Sequence, residues 1–270
     1  MLNVINSEWI KLRTTKSLAW TTGLVLFFSL GMALLMGGMT GYSLANDPGV
    51  KKDPELYAIL ASGISVDSAI NGLTLIGMMI IIIQAVMFVT GEYGSNVSKP
   101  TLLATPKRVP VPFAKLLVYG VFATVLTFIT SLLSVVAMRW AVGWNLDNPQ
   151  LMEQLDFNGD AWTIIGRLCL KVFLVVALSI GVGYLLRHTA GSIALLLLWP
   201  LLVEGLLVSL LPKIKDWLPP YMPFNNIDEA ISLREVVDAP WGQIGSIIYF
   251  AAWAVAIFVA GVIVLQRRDA

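Results

Sequence analysis

The segment "LTLIGMMIIIIQAVMFVT", residues 73–90, decides the fold class because it carries no charged side chain. It lies inside a longer window without Asp, Glu, Lys or Arg, 68–91, and three more such windows cover 18–42, 116–138 and 239–266. Each window exceeds the roughly 20 residues that a helix needs to cross the hydrocarbon core of a bilayer. Only 13% of the 270 residues are charged, against about a quarter of a typical soluble domain. The sequence therefore predicts a polytopic membrane protein.

Two less uniform apolar blocks complete the set of spans. Residues 161–186 form one block, and residues 189–212 form a second block that Pro200 interrupts. In lipid, every backbone N–H and C=O must be satisfied within its own segment, which favours helices. The prediction is an all-α fold with six transmembrane helices, near 18–41, 69–90, 113–138, 161–186, 190–211 and 243–265.

The distribution of Lys and Arg predicts the orientation of these spans, since cytoplasmic connectors carry an excess of basic residues. With the N-terminus inside, the inner connectors hold ten basic and three acidic residues, and the outer connectors hold eight basic and thirteen acidic residues. Tryptophan favours membrane interfaces. Five tryptophans fall near predicted outer span ends: Trp140, Trp144, Trp162, Trp217 and Trp241. Both termini are therefore predicted to be cytoplasmic.

Residues 1–17, ahead of the first span, have the pattern of an amphipathic helix. Apolar residues recur at spacings of three and four: Leu2, Ile5, Trp9 and Leu12. Charged residues occupy the rest of the helical wheel: Glu8, Lys11 and Lys16. The pattern predicts an interfacial helix in the plane of the inner headgroups. The alternative is a disordered basic leader that only sets the topology.

Residues 212–240, on the predicted outer side, form an interfacial or re-entrant segment. Asn225 or Asn226 is a candidate helix N-cap, and the acidic pair that follows suits the first turn of a helix. Four apolar residues then form a stripe: Ile227, Ala230, Ile231 and Val237. The pattern predicts a short amphipathic helix that ends before Pro240.

The connector "GEYGSNVSKPTLLATPKRVP", residues 91–110, raises three possibilities: a nucleotide site, a solvated connector or a surface for a partner protein. A Walker-type loop requires G-x-x-x-x-G-K-[ST] after a strand. Here Ser98, not Gly, precedes Lys99, and the preceding element is a predicted membrane helix, so the nucleotide site is excluded. A solvated connector remains the alternative to a docking surface.

Local signals in this connector favour a docking surface. Ser98 is a candidate N-cap with Pro100 in the first turn, and Pro106 stops the helix. A helix of about two turns is marginal alone. It would expose Thr101, Leu102, Leu103 and Thr105, flanked by the basic residues Lys99, Lys107 and Arg108. Exposed leucines of this kind favour docking into a partner's groove.

Charged residues within spans form a second candidate site, because ionisable groups at membrane depth are costly and face a bundle interior or a wet cavity. Arg167 and Lys171 are four residues apart and share a helix face. We expect Glu204 to pair with Lys171 or Arg167 near the break at Pro200. The alternative is that both cations reach the outer headgroups while Glu204 faces a water-filled vestibule.

Gly37 and Gly41 have the G-x-x-x-G spacing that permits close packing of helices. Glycines near the end of a helix can instead ease the exit into a loop. The pattern alone leaves both interpretations open.

Four stretches together resemble the permease subunits of bacterial ABC transporters of the type-2 exporter class, especially actinobacterial ones. They are "SEWIKLRTTKS" (7–17), "GEYGSNVSKPTLLATPKRVPVPFAKLL" (91–117), "GYLLRHTAGSIALLLLWPLL" (183–202) and "YMPFNNIDEAI" (221–231). Their order and spacing are more specific than any one of them, and the similarity extends over nearly the whole chain.

The resemblance implies a single permease domain, 1–270, in a bacterial plasma membrane. It implies a coupling helix in the cytoplasmic loop 91–112, which docks onto a separate ATPase that binds ATP and Mg. The docking residues implied by the resemblance are Glu92, Ser98, Lys99, Thr101, Leu102, Leu103, Thr105, Pro106, Lys107 and Arg108. The expected partners are the ABC ATPase, a second permease subunit, identical or paralogous, and membrane lipid; nucleic acid is not expected. No cofactor is expected in this chain.

Three function classes remain to be compared. Few polar groups lie in the spans, which favours outward transport of an amphiphilic or hydrophobic substrate such as a drug, lipid or peptide. A membrane enzyme would need converging catalytic or metal-binding groups. One histidine (His188), one cysteine (Cys169) and one mid-span carboxylate do not supply them. A non-transporting scaffold, sensor or immunity component would present the same docking surface and remains the alternative.

Overall fold

A computed structural model describes residues 2–94, 109–207, 210, 218–237 and 239–268. Within these ranges the chain is helical and has no strand. The α-helices are α1 (Leu2–Thr14), α2 (Lys16–Asn46), α3 (Pro48–Lys52), α4 (Pro54–Ser62), α5 (Val66–Ala69), α6 (Met78–Gly94), α7 (Pro110–Asn145), α8 (Pro149–Glu153), α9 (Gly159–Leu186), α10 (Thr189–Leu198), α11 (Pro223–Ile231) and α12 (Gln243–Arg268). A π-helical turn, Leu73–Gly77, precedes α6; a second π-helical stretch, Trp199–Leu207, continues α10; and a 3-10 turn, Pro219–Tyr221, precedes α11.

The prediction of six membrane-spanning helices is confirmed at the level of length and composition. Six helical stretches are long and apolar enough to cross a bilayer: Lys16–Asn46, Leu73–Tyr93, Pro110–Asn145, Gly159–Leu186, Thr189–Leu206 and Gln243–Arg267. The first and third are longer than predicted, because the first continues through the uncharged residues 43–46 and the third includes Lys115 and Arg139 at the two ends of its charge-free window. The cytoplasmic location of the termini remains a prediction.

Contacts divide the chain into two compact units. The first unit comprises Met1–Thr21, Met79–Thr124 and Leu170–Ala270. The second comprises Thr22–Met78 and Val125–Cys169. Several long helices contribute residues to both.

In the second unit, α2 approaches α7 at the two glycines with G-x-x-x-G spacing. A Cβ atom added to Gly37 would lie 2.9 Å from the carbonyl oxygen of Met138, and one added to Gly41 would lie 3.2 Å from the Cα of Val142. Backbone atoms cannot yield as a side-chain tip can, so only glycine fits this crossing. The close-packing interpretation is confirmed.

The N-terminal helix predicted over 1–17 is observed as α1, which ends at Thr14, and Lys16 begins the next helix. Glu8, which the sequence pattern places apart from the apolar stripe, is not exposed. It is buried together with Leu12, one helical turn further on. The position of α1 relative to a membrane remains a prediction.

The segment 212–240 contains a short helix, α11, whose limits differ from those expected; its location at the outer side of a membrane stays a prediction. Its N-cap is Met222, not Asn225 or Asn226, because Pro223 has the φ angle suited to the first helical position. The predicted apolar residues Ile227, Ala230 and Ile231 are buried, whereas Val237 lies beyond the helix and is exposed.

Candidate functional site

Four charged side chains from three helices form an ion-pair cluster: Glu8 and Lys11 of α1, Glu92 of α6 and Lys115 of α7. Lys115 Nζ lies 2.7 Å from Glu8 Oε2 and 2.9 Å from Glu92 Oε1. Lys11 Nζ lies 2.7 Å from Glu8 Oε1 and 2.9 Å from Glu92 Oε1. Each lysine therefore bridges the same two carboxylates, and the four charges balance.

Lys115 is the buried centre of the ion-pair cluster, with none of its side chain exposed. Its ammonium group has three hydrogens, and it donates to three acceptors: the two carboxylates and, at 3.1 Å, the carbonyl oxygen of Phe88. The ring of Phe88 also lies 4.1 Å from Lys115 Nζ, which permits a cation–π interaction. Complete pairing is what allows a charged group to stay buried.

Lys11 completes the cluster from its more accessible side, with 31% of its side chain exposed. Burial by itself would lower the pKa of Lys11, but hydrogen bonds to Glu8 and Glu92 and their charges outweigh burial and raise its pKa above the ordinary value. Lys11 therefore keeps its positive charge throughout the physiological pH range.

Of the ten predicted docking residues, the structure describes Glu92, which lies in the ion-pair cluster. The other nine lie outside the described residues: Ser98, Lys99, Thr101, Leu102, Leu103, Thr105, Pro106, Lys107 and Arg108. The ion-pair cluster thus joins Glu92 to three residues that the sequence did not assign to the docking surface: Glu8, Lys11 and Lys115.

Sequence reasoning missed the roles of Glu8 and Lys115, and the signals were weak. Lys115 was assigned only to the positive charge of the inner connectors, although it lies within the apolar stretch "VPFAKLLVYG" (111–120). An isolated lysine there needs an acidic partner. Nothing in the local pattern identifies that partner as Glu8, which is 107 residues away.

Two of the three charges predicted to interact within the spans bond to other partners. Lys171 pairs with Asp228 of α11. Glu204 accepts hydrogen bonds from Trp199 Nε1 and from the backbone N–H of Asn225, both at 2.9 Å. Lys171 and Glu204 therefore each have a partner other than the one predicted, while the pairing of Glu204 with Arg167 stays a prediction.

Asn226, predicted as a possible N-cap, is instead a buried anchor of α11. Its Nδ2 donates to the carbonyl oxygens of Pro220 and Met222, both at 2.8 Å. Its Oδ1 accepts from Trp241 Nε1 and Ser246 Oγ, both at 2.9 Å. All four hydrogen-bonding positions of this amide are thus occupied.

No protein-family model matches the sequence, and no curated protein matches it. Within the described ranges, no group of three or more His, Cys, Asp or Glu side chains is placed to hold a metal ion. The resemblance to ABC permeases therefore rests on the four sequence stretches.

Proposed function

We propose that this chain is the membrane-spanning subunit of an ATP-driven transporter of the ABC type. A separate ATPase, which binds ATP and Mg, would dock on the loop 91–112. The observation that supports this proposal is the ion-pair cluster. It attaches Glu92, near the end of α6, and Lys115, near the start of α7, to the same helix α1.

The physical argument concerns the two ends of the loop. A docking loop can transmit movement to its spans only if its attachments do not yield first. Glu92 and Lys115 flank residues 95–108, and both bond to partners on α1. Removing one partner of the buried Glu8–Lys115 pair costs about 3–5 kcal/mol, so the attachment at Lys115 is stiff. Such stiffness suits a loop that is pulled or pushed by a partner.

The proposal includes the direction and the class of substrate. Six apolar spans are better suited to moving an amphiphilic or hydrophobic substrate than to forming a hydrophilic channel within a single chain. Outward movement of a drug, lipid or peptide by a dimer of this chain, or by this chain and a paralogue, in a bacterial plasma membrane is the proposed activity. The chain itself would hydrolyse no ATP.

Affinity purification of the tagged full-length chain from detergent-solubilised membranes of its source bacterium tests the docking. We expect an ABC ATPase to be recovered with the wild-type chain and lost with Leu102→Asp plus Leu103→Asp. Leu56→Asp plus Ile59→Asp is the matched control, since both residues are exposed on α4 and lie outside the loop. It should retain the ATPase.

Three results would contradict the proposal or part of it. Recovery of the wild-type chain without any ABC ATPase would remove its basis. Equal recovery of the ATPase with both double variants would show that the loop is not the docking surface. The third result is an ATPase that is recovered in a complex which hydrolyses ATP in reconstituted vesicles without moving an amphiphilic dye. That result would favour a non-transporting scaffold or sensor.

A further inference from the structure

The fifth span changes its helical register at Pro200. The α-helix α10 ends at Leu198, and residues Trp199–Leu207 are π-helical. Proline has no N–H, so at position 200 it cannot donate to the carbonyl of Leu196 as an α-helix requires, and its ring would crowd that carbonyl. In an i→i+5 pattern the donor to that carbonyl is residue 201 instead, so the π register avoids the conflict.

The hydrogen bond between Trp199 and Glu204 depends on this register. The two residues are five positions apart, and Trp199 Nε1 lies 2.9 Å from Glu204 Oε1. At 3.6 residues per turn, side chains five positions apart point about 140° away from each other around an α-helix. In the wider π-helix, residues five apart lie nearly one turn apart on the same face. The bond therefore reports the π register.

The other oxygen of Glu204 caps a different helix. Met222, the N-cap residue of α11, offers no side-chain hydrogen bond. Glu204 Oε2 accepts instead from the backbone N–H of Asn225, in the first turn of α11, at 2.9 Å. A carboxylate at this position satisfies free N–H groups and interacts favourably with the helix dipole.

We propose that Glu204 is a switchable cap, and that the register of residues 199–207 decides whether it engages α11. In the π register the carboxylate reaches the first turn of α11. Conversion of this stretch to α-helix turns Glu204 away, and the first turn of α11 loses its cap. Lys171–Asp228 and the bonds of Asn226 hold α11 from Asn226 onward, so the part released is the start of the first turn, at Phe224 and Asn225. This device does not depend on the proposed transport function.

Hydrogen exchange of the full-length chain in lipid nanodiscs tests the proposal, read at the amides of Phe224 and Asn225. Glu204→Ala removes the cap, and Pro200→Ala removes the reason for the π register while leaving Glu204 in place. Either change is expected to speed exchange about fivefold, the factor that corresponds to loss of one helix cap. The double variant should exchange no faster than Glu204→Ala, because both changes act through one bond.

Controls and a second variant keep the test decisive. Pro149→Ala and Glu153→Ala make the same changes at α8, in the other unit, and should leave α11 unaffected. Trp199→Phe removes only the bond that depends on register and should speed exchange about twofold. It serves in place of Pro200→Ala if that variant does not fold.

Three results would overturn the switchable cap. Unchanged exchange in Glu204→Ala would mean that the carboxylate does not protect α11. Faster exchange in Glu204→Ala, together with unchanged exchange in Pro200→Ala and Trp199→Phe, would mean that the cap is independent of the helical register. Additive effects in the double variant would mean that Pro200 acts on α11 by another route.

Discussion

Two regions of the first unit satisfy buried or partly buried polar groups in opposite ways. The ion-pair cluster balances two carboxylates with two lysines. At α11, Glu204 accepts from neutral N–H groups, and Asn226 is satisfied entirely by neutral partners. A charged partner that is lost leaves an uncompensated charge, whereas a neutral partner that is lost leaves only an unpaired dipole. Substitutions of buried residues in the ion-pair cluster should therefore lower the free energy of unfolding more than substitutions at α11.

The largest effect is expected from Lys115→Met. This substitution removes the buried lysine of the cluster, so that Lys11 is the remaining cation beside Glu8 and Glu92. It should lower the free energy of unfolding by about 3–5 kcal/mol, measured by tryptophan fluorescence during unfolding in mixed micelles. Lys11→Met is the matched change at a lysine that contacts the same carboxylates but is 31% exposed. It should cost about 1 kcal/mol. Equal losses in the two variants would contradict the importance of burial.

The next effect tests the neutral network. Asn226→Ala leaves Trp241 Nε1, Ser246 Oγ and two carbonyl oxygens without this partner, and should cost about 2–3 kcal/mol. The neighbouring Asn225→Ala removes a single side-chain bond of 3.5 Å and should cost below about 0.5 kcal/mol. If Asn226→Ala costs more than Lys115→Met, the comparison between charged and neutral partners is wrong.

A third pair of variants tests the packing of helices instead of the bonding of polar groups. Gly37→Ala places a methyl group against the Met138 carbonyl and should cost about 1–3 kcal/mol. Gly38→Ala meets nothing within 4 Å and should stabilise α2 by up to about 1 kcal/mol. The same unfolding measurement applies, and two substitutions of equal effect would exclude a close crossing at Gly37.

The smallest effect concerns an ion pair on the surface. Arg139 and Asp156 pair in the second unit, with 47% and 51% of their side chains exposed. Asp156→Asn should change the free energy of unfolding by less than about 1 kcal/mol, because water screens exposed charges. The change should shrink further in high salt. A loss close to that of Lys115→Met would show that charge pairing, and not burial, controls both.

Much of the fold was predictable because hydropathy is a local property. Residues 73–90 and the other charge-free windows required helices of membrane-spanning length, and six such helices are present. Pro200 correctly indicated an interruption of the fifth span, since its missing N–H acts within one turn. The predicted N-cap of α11, Asn225 or Asn226, was wrong, and the helix starts at Pro223 instead. Asn has a strong capping propensity, but tertiary contacts overrode it here.

The candidate site was much less predictable. Glu92 was implied by the resemblance to ABC permeases, but Glu8 and Lys115 were treated as ordinary charges of the inner side. Glu204 was identified as an unusual mid-span carboxylate, and Lys171, one of its two expected partners, pairs with Asp228. Charge and position show that such groups need partners, and only the packing of helices selects among the candidates.

The amino-acid sequence by itself determined the number of apolar helices, their approximate limits and the charged connectors between them. These follow from the cost of placing charges and unpaired backbone groups in lipid, which each segment meets alone. Tertiary structure decided that Lys115 meets Glu8 across 107 residues and that Glu204 caps a helix whose own N-cap residue cannot. Those pairings depend on which helix faces come together, and that is set by side-chain packing over the whole unit.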